Sequence, residues 1–412
     1  MVKRTVWHRF LFTTYIGLVM LTITLYLNNR TQFLRFHWQE THNRVKQIFD
    51  SSQILANSTS TISSRTSTQY LWCVNHYGPN NQLRDFIKCG IIAMLSSYTL
   101  VIPPFYPHYG HSVRGIQWFD HFFDLKQLRQ VINFITLDEF IEKVKINQKK
   151  VMIDCYIQQF ELVRGRMWYS KNALIPVQNY FKINIDFHRS MNLTNNFQLS
   201  ELFSKSKNCS SIFLHIHYTM FRQFFSNPNN YTKKIFEFLR RTPLLQRMAS
   251  QSISQLPKLA IRKNRSQINF QFLAVVHMRI GDHVVMSLSM YIKQILYLIN
   301  DKVHFTHLHI MCPYLNSTDM KQLTNSLSIP FTTSHQLLNH LDFVLDRYLF
   351  DVLEQEIAYQ APIFIASPWT TYSATILMQK VYQQKGTVYV LSTVKDKHPS
   401  LVTQQNAKYF DK

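Results

Sequence analysis

The chain has 412 residues, of which 46% are hydrophobic, enough for one large or two medium domains with apolar cores. This composition excludes a disordered or a fibrous protein. The formal net charge of +22 predicts an anionic partner, such as a lipid surface or a phosphorylated small molecule. Because the basic residues form no Lys/Arg blocks and no RNA-module signature, we expect no nucleic-acid partner.

An uncharged apolar segment lies near the N-terminus, at residues 10–27. Its 18 residues would cover about 27 Å at helical rise, near the lower limit for a bilayer span. No small-residue cleavage site follows it, so we predict an uncleaved transmembrane anchor after a cytoplasmic tail of residues 1–9. The Ser/Thr-rich residues up to 69 predict a flexible stem over 28–69.

Glycosylation signals of the type Asn-x-Ser/Thr follow this segment and favour a lumenal body. They occur at Asn29, Asn57, Asn192, Asn208, Asn230, Asn264 and Asn316. A short span suits the thinner membranes of the early secretory pathway. The sequence therefore predicts a single-pass type II protein of the Golgi or endoplasmic reticulum membrane.

The cysteines are Cys73, Cys89, Cys155, Cys209 and Cys312. They contain no C-x-x-C pair, which argues against a zinc site. In an oxidising lumen at most two disulfides can form and one thiol remains, but the sequence leaves the pairing open.

From about Tyr70 onward, apolar strand-like segments alternate with amphipathic helical ones. The first pair is the helix "LRDFIKCGIIAMLSS" followed by the strand "YTLVIPPF". Further strands are predicted in "VMIDCYI", "SSIFLHIHYTMF", "INFQFLAVVHM", "VHFTHLHIMC" and "APIFIAS", and a helix in "RYLFDVLEQEIAYQ". Consecutively apolar strands between helices predict an α/β fold with parallel sheets covered on both faces. With a polar, Pro-containing region at about 243–268, this pattern predicts two Rossmann-like domains across a cleft, at 70–255 and 256–412.

The segment "AVVHMRIGDHVV" carries the first candidate site. In an open α/β sheet, ligands bind beyond the carboxyl ends of the strands, where His277, Arg279, Gly281 and Asp282 would lie. A guanidinium binds phosphate oxygens through two parallel hydrogen bonds, and glycine permits a sharp turn. The alternative is a polar turn in which Arg279 pairs with Asp282.

The segment "FIASPWTTYSATILMQKVYQ" carries the second candidate. A strand is expected to end at Ala366, and Thr370 or Thr371 to cap the helix that follows. The free amides at such a helix start can bind an anion, although any Thr-capped helix shows the same pattern.

A third candidate is the turn "HYGPNNQLRDF", which leads into the first long helix. Asn81 and Gln82 can cap this helix or present neutral donors and acceptors to the cleft. The chain has no Gly-rich nucleotide loop.

No Asp-x-Asp pair occurs in the chain, so we predict no metal site and no cofactor. His304, His307 and His309 lie on one predicted strand. We expect them to be packed or solvated residues rather than metal ligands.

In this order and spacing, the segments resemble the GDP-fucose protein O-fucosyltransferase superfamily over about residues 70–390. "GPNNQLRDFIKCGIIAMLSSYTLVIPPF" is similar to the family's Gly-x-x-x-Asn-Gln turn, helix and T-L-x-x-P-P strand, and "VINFITLDEFIEK" to the segment after it. "VVHMRIGDH" resembles its His-x-Arg-x-Gly peptide, and "EQEIAYQAPIFIASPWTTYSATI" its closing strand, Ser/Thr-rich loop and helix.

The resemblance implies a GT-B architecture with GDP-fucose bound between the two domains, residues 70–255 forming the acceptor side and residues 256–412 the GDP-fucose side. It also implies an inverting, metal-independent transfer of fucose to a protein Ser/Thr hydroxyl. Arg279 would then hold the β-phosphate, His277 would lie by the nucleoside, and Asn81 near the reacting centre. The pyrophosphate contacts would come from Thr370, Thr371 and Tyr372, and Glu354 would contact the nucleoside. The general base is open among the donor phosphate, Asp85 and Asp282.

Several positions depart from the family pattern. Asn80 stands where a glycine is usual, Ala366 and Ser367 replace Gly-Asn, and Pro362 and Pro313 replace aspartates. Two other functions therefore stay open: fucose transfer to a glycan, as in the α1,2 and α1,6 enzymes, and an inactive lumenal binding module.

Overall fold

The computed structural model describes residues 68–73, 79–106, 116–159, 169–194, 199–215, 231–261, 273–280, 286–341, 347–394 and 397–406. The predicted membrane anchor at 10–27 lies outside these residues, as does nearly all of the predicted stem. Among the helices within them, none is both long and apolar enough to cross a bilayer.

The described strands form two sheets, one from each half of the chain. The first sheet contains β1 (Tyr70–Cys73), β2 (Thr99–Ile102), β3 (Phe134–Thr136), β4 (Lys145–Asn147), β5 (Lys150–Gln159), β6 (Asn184–Leu193) and β7 (Ser211–His215). Its order is β3-β2-β1-β7-β5-β4, with β6 also paired to β5. Every pair is parallel except β4 with β5, which confirms the predicted parallel sheet.

The second sheet contains β8 (Leu273–His277), β9 (His307–Met311), β10 (Phe331–Thr333), β11 (Ile363–Ala366), β12 (Thr387–Val390) and β13 (Ser400–Leu401). Its order is β10-β9-β8-β11-β12-β13, and only the edge strand β13 is antiparallel. The order of the first five strands is that of a Rossmann sheet. From β8 the chain adds β9 and β10 on one side of the sheet and then β11 and β12 on the other side.

Helices connect and cover these strands. They are α1 (Pro79–Ser96), α2 (Leu125–Leu128), α3 (Leu137–Val144), α4 (Tyr169–Phe181), α5 (Leu199–Ser206), α6 (Tyr231–Phe238), α7 (Pro243–Leu259), α8 (Leu288–Asp301), α9 (Ser317–Ser326), α10 (Ser334–His340), α11 (Arg347–Gln360) and α12 (Thr371–Tyr382). The predicted strands and helices of the alternating pattern are confirmed, and α11 begins and ends where its sequence pattern does.

Alternate residues of the strands pack into different parts of the core, because successive strand side chains point to opposite faces. In β8, Val275 joins a large apolar cluster that also contains Leu71 of β1, whereas Val276 joins a separate cluster with Tyr291 of α8. Trp72 of β1 packs in a third cluster on the outer face of the first sheet. Both sheets are therefore covered on both faces, and one continuous core joins them.

Both sheets belong to one compact unit, from Ser67 to Lys412. The polar region predicted to separate the halves is in fact largely α7, which the Thr242 side chain caps and which has Pro243 in its first turn. This helix spans the predicted boundary at 255/256, and its Gln246 carbonyl accepts a hydrogen bond from Gln360 of α11 (3.0 Å). The exact domain limits stay a prediction.

Two disulfides join elements of the first sheet and its first helix. Cys73 pairs with Cys89, tying the end of β1 to α1, and Cys155 of β5 pairs with Cys209, just before β7. Cys312 is buried and is the free thiol that an odd number of cysteines requires.

Candidate functional site

The crevice between β8 and β11 is the place where the second sheet can hold a ligand. At this point the connections leave the two strands in opposite directions, which opens a gap beyond their carboxyl ends. His277 is the last residue of β8, and Arg279 follows it two residues later. Ala366 ends β11, and a short loop leads from it to α12. The structure thus brings the first and second sequence-predicted sites together.

The start of α12 faces this crevice with a capped first turn. Of the two predicted caps, Thr370 and Thr371, Thr370 is the N-cap, and its hydroxyl oxygen accepts a hydrogen bond from the Ser373 N–H (3.1 Å). Thr371 follows as the first helical residue and is partly exposed. The positive end of the helix dipole and the remaining first-turn amides favour an anion here.

A hydrogen-bond network that the sequence did not predict joins β8, β11, α8 and α12. Ser373 Oγ lies 2.7 Å from His277 Nδ1 and accepts a hydrogen bond from the Ser367 N–H (3.1 Å). Tyr291 Oη lies 2.5 Å from Ser367 Oγ and accepts the backbone N–H of Arg279 (3.0 Å). The network fixes the backbone on both sides of the crevice, so the Arg279 side chain projects from a rigid base.

The His277 ring is held between Ser373 and the Tyr372 ring. The rings of His277 and Tyr372 stack with their centroids 4.6 Å apart. Burial, with the nearby charge of Arg279 as a second cause, lowers the pKa of His277 to about 3. The imidazole is therefore neutral near neutral pH, and it can offer a hydrogen bond but no charge to a ligand.

Tyr372 contributes its ring to the site rather than its hydroxyl. The Tyr372 hydroxyl donates to the backbone carbonyl of Asp351 in α11 (2.9 Å). Burial raises the pKa of Tyr372 well above its ordinary value, so this hydroxyl stays protonated. The predicted contact between Tyr372 and a pyrophosphate stays a prediction, and its geometry would have to involve the ring edge or the backbone.

The third predicted site lies in the first turn of α1. Gln82 is buried, and its amide holds the backbone of Tyr106: Tyr106 N–H donates to Gln82 Oε1 (2.7 Å) and Gln82 Nε2 donates to Tyr106 O (3.0 Å). Both amide atoms thus anchor the chain after β2. Asn81 is partly exposed beside it, and roles for both residues in substrate binding stay predictions.

The start of α1 and the start of α12 both border a small cavity of about 30 Å³. Asn80 of α1, Tyr372 of α12 and Arg241 line this cavity. Gln355 of α11 donates to Asn80 Oδ1 (2.6 Å) and accepts a hydrogen bond from Arg241. Arg241 is buried, with its guanidinium 4.2 Å from the centre of the Phe123 ring. These contacts connect the two halves of the chain beneath the crevice, and no local sequence signal predicted them.

Glu354 lies within a buried network beside the crevice. Its Oε1 accepts a hydrogen bond from Ser334 (2.7 Å) and lies 3.2 Å from His309 Nε2. His309 Nδ1 and His307 Nε2 both approach Thr332 Oγ1, at 3.0 and 3.1 Å. The predicted contact of Glu354 with a nucleoside stays a prediction, because these partners hold the carboxylate inside the protein.

Buried His307 makes the folding stability dependent on pH. Burial, with His309 as a second cause, lowers the pKa of His307 to about 3. Between its unfolded pKa of about 6.5 and about 3, the unfolded chain binds a proton that the folded chain does not, so stability falls as the pH falls. His307→Gln keeps a hydrogen-bond donor for Thr332 but cannot bind this proton. Between about pH 7 and pH 5, we expect the free energy of unfolding of the variant to fall by up to about 2 kcal/mol less than that of the unaltered chain.

Denaturant unfolding at the two pH values measures this difference. His335→Gln is the matched control, since His335 is exposed on α10 and makes no contact with Thr332 among the described hydrogen bonds. An equal loss of unfolding free energy at the lower pH in both variants would contradict the role of His307.

Other sequence candidates fall outside the crevice or outside the described residues. Gly281 and Asp282 are not among the described residues, so their predicted roles stay predictions. Asp85 is buried in α1, and its carboxylate lies 3.7 Å from Lys88 Nζ. The described residues contain one group with the spacing of metal ligands, Asp154 with Cys155 and Cys209, whose two sulfurs are joined in a disulfide.

Comparisons with known proteins agree with this fold. A crystal structure of POFUT1 in complex with GDP superposes with a TM-score of 0.56 at 12% identity, covering 80% of this chain and 100% of that chain. A crystal structure of POFUT1 in complex with GDP-fucose gives 0.56 and 12%, covering 79% of this chain and 97% of the other. This likeness shows a shared α/β, GT-B-like fold. No curated protein sequence matches the chain significantly.

The family model for GDP-fucose protein O-fucosyltransferases matches residues 70–294, from β1 into α8. This match covers more than half of the 412 residues and includes both the first turn of α1 and the peptide that carries His277 and Arg279. The chain therefore belongs to the GDP-fucose protein O-fucosyltransferase family, as its sequence motifs predicted, and to the enzyme class of GDP-fucose-dependent fucosyltransferases.

Proposed function

We propose that this chain transfers fucose from GDP-fucose to a Ser or Thr hydroxyl of a secretory-pathway protein. The observation that carries the proposal is the position of Arg279, two residues beyond β8, next to the strand β11 that leads to the capped start of α12. A cation and a helix N-terminus across one crevice form a site suited to a diphosphate. POFUT1, which shares the fold, has been crystallised with GDP-fucose.

In the proposed reaction, Arg279 binds the β-phosphate and stabilises the charge that develops as GDP departs. Breaking the glycosyl phosphate leaves oxocarbenium-like positive charge on the sugar and negative charge on the leaving oxygen. A preorganised cation at that oxygen lowers the barrier, because it needs no reorganisation during the reaction. The pyrophosphate also contacts Thr370 and Thr371, and neutral His277 faces the nucleoside.

The transfer is proposed to invert the anomeric centre and to need no metal ion. Arg279 and the α12 dipole supply the positive charge that a divalent cation supplies in enzymes with an Asp-x-Asp pair. Activity that survives treatment with a metal chelator is the expected result. Loss of activity with the chelator and recovery with added Mg²⁺ or Mn²⁺ would contradict it.

The proton of the acceptor hydroxyl is proposed to pass to the departing phosphate, with Asn81 orienting the hydroxyl. Asp85 is less suited to this task, since it is buried beside Lys88. Asp282 is the other carboxylate near the Arg279 peptide, and loss of transfer in Asp282→Asn would assign the base to it instead.

Tyr291 positions Arg279 and Ser367, so Tyr291→Phe should weaken use of the donor. The variant removes the hydroxyl that is hydrogen-bonded to the Arg279 N–H and to Ser367 Oγ. Leaving a buried polar group without its partner typically costs about 1–3 kcal/mol. We expect kcat/KM for GDP-fucose to fall about tenfold or more. Tyr297→Phe on the same helix is the control, because the Tyr297 ring stacks on His398 and should tolerate the change. Equal kinetics of the two variants would refute the positioning role.

The acceptor class is tested with labelled GDP-fucose. The chain is offered small folded disulfide-rich domains and, separately, free oligosaccharides. Label on Ser or Thr of the domains is the expected result. Label on the oligosaccharides alone would instead indicate a glycan fucosyltransferase, and no GDP binding in calorimetry would indicate an inactive module.

The site is proposed to face the lumen of the Golgi or endoplasmic reticulum, on a type II protein anchored by residues 10–27. The glycosylation signals along the body support this placement. Glycans that are removable from Asn208 or Asn316 of the expressed full chain would be the expected result, and unmodified asparagines at all the signals would contradict it.

A further inference from the structure

A second pocket, of about 220 Å³, lies beside the diphosphate crevice, on the β12 side of α12. Its floor is formed by Ala366, Ala374, Leu377 and Val390. The loop before α12 forms one wall, and the segment after β12, including Lys397, forms another. Its lining residues Ser367, Thr370 and Ser373 also belong to the crevice described above, whereas its other lining residues have no role assigned above.

Trp369 stands on the rim of this pocket in an uncommon backbone conformation. Its φ of 59° lies in the left-handed region, where a bulky residue is an outlier. The side chain is 66% exposed, so burial of the indole does not account for this conformation. Strain of this kind, of about 1–3 kcal/mol, is retained mainly at binding and catalytic sites.

A second exposed apolar side chain lines the same pocket. Val394 is 59% exposed. Together with Trp369 it forms an exposed apolar rim around a partly apolar pocket. Such patches on soluble surfaces mark sites of contact with another molecule.

We propose that this pocket binds an apolar side chain of the acceptor polypeptide, next to an acidic residue of the same acceptor. The inference rests on the proposed transfer to a protein hydroxyl and adds the recognition of its acceptor. Trp369 directly precedes Thr370, the N-cap of the helix whose start faces the diphosphate. An acceptor that approaches a diphosphate at this helix start can therefore contact the indole.

The size and chemistry of the pocket favour a polypeptide side chain over a sugar or nucleotide. Pockets that enclose a whole small molecule measure about 300–1,000 Å³, which is larger than this one. Among the described residues that line it there is no Asp, Glu, Asn, Gln or Arg, whose planar groups bind pairs of sugar hydroxyls. Lys397 and the positive end of α12 complement an acidic neighbour of the bound side chain.

The test compares Trp369→Gly and Trp369→Phe with the unaltered full chain. Glycine tolerates the left-handed conformation and should preserve the loop while removing the ring. Transfer is measured against the concentration of a small disulfide-rich acceptor domain, and GDP affinity is measured by calorimetry. We expect Trp369→Gly to raise the acceptor KM at least about tenfold, Trp369→Phe to raise it less, and both to leave the GDP affinity unchanged.

Leu244→Ala is the matched control, since Leu244 is 55% exposed at the start of α7 and does not line the pocket. Lys397→Glu should raise the KM for an acceptor that has an acidic residue beside the modified site. For an acceptor in which this acidic residue is replaced by lysine, Lys397→Glu should lower the KM. An unchanged acceptor KM in Trp369→Gly, or an equal loss of GDP affinity, would overturn the inference while leaving the proposed function standing. Transfer to free oligosaccharides alone would overturn both.

Discussion

Arg279→Ala is expected to lower the rate of fucosyl transfer about 100-fold to 1,000-fold while leaving the fold intact, because loss of one preorganised charge donor at a leaving oxygen typically has this effect. The residue is partly exposed two positions after β8, so the variant does not remove a side chain from the closed apolar core. The backbone N–H that donates to Tyr291 remains in the variant, so the network around the crevice is retained. Steady-state kinetics and thermal unfolding of the purified variant measure the two parts of this prediction.

Arg279→Lys separates the charge from the geometry of the guanidinium. Lysine keeps a positive charge but cannot form the bidentate hydrogen bonds of a guanidinium with phosphate. We therefore expect a loss of rate smaller than that of Arg279→Ala. A turnover in Arg279→Ala equal to that of the unaltered chain would refute the role of Arg279.

Gly386→Ala is expected to destabilise the second sheet more than most single substitutions. Gly386 has a φ of 72°, and an added Cβ would lie 2.2 Å from the carbonyl oxygen of Pro362. This carbonyl accepts the Thr387 N–H (2.8 Å), which begins the pairing of β12 with β11. Because a backbone atom cannot move away as a side-chain end can, we expect a loss of at least about 2–3 kcal/mol.

Gly90→Ala provides the comparison for this prediction. An added Cβ at Gly90 would lie 3.0 Å from Ile132 Cδ1 and 3.1 Å from Ile235 Cδ1, both ends of flexible side chains. Alanine also gains about 1 kcal/mol of helix propensity within α1, so the net effect should be small. A Tm that falls equally in both variants would contradict the backbone clash at Gly386.

The sequence predicted those parts of the fold that local periodicity encodes. Consecutive apolar residues in β8 and β11 indicated buried parallel strands, and Thr370 or Thr371 was predicted as a cap from its position before an amphipathic segment. The position of His277 and Arg279 beyond β8 followed from the general rule for open α/β sheets. These features depend on residues that are close in sequence.

The contacts that were not predicted join residues that are far apart in sequence. Tyr291 lies 76 residues from Ser367, to which it is hydrogen-bonded, and nothing in its helix distinguishes it from a core tyrosine. Gln355 and Asn80 are separated by 275 residues. The helix α7 was missed because its polar surface and its two prolines resemble a linker, although Pro243 is favourable in a first turn.

A crystal structure of the chain with bound GDP tests the account most directly. The account predicts that the Arg279 guanidinium lies about 2.7–3.2 Å from oxygens of the β-phosphate, with the first-turn amides of α12 on the opposite side of the diphosphate. A diphosphate bound away from the crevice between β8 and β11, or an Arg279 side chain turned away from it, would contradict the account.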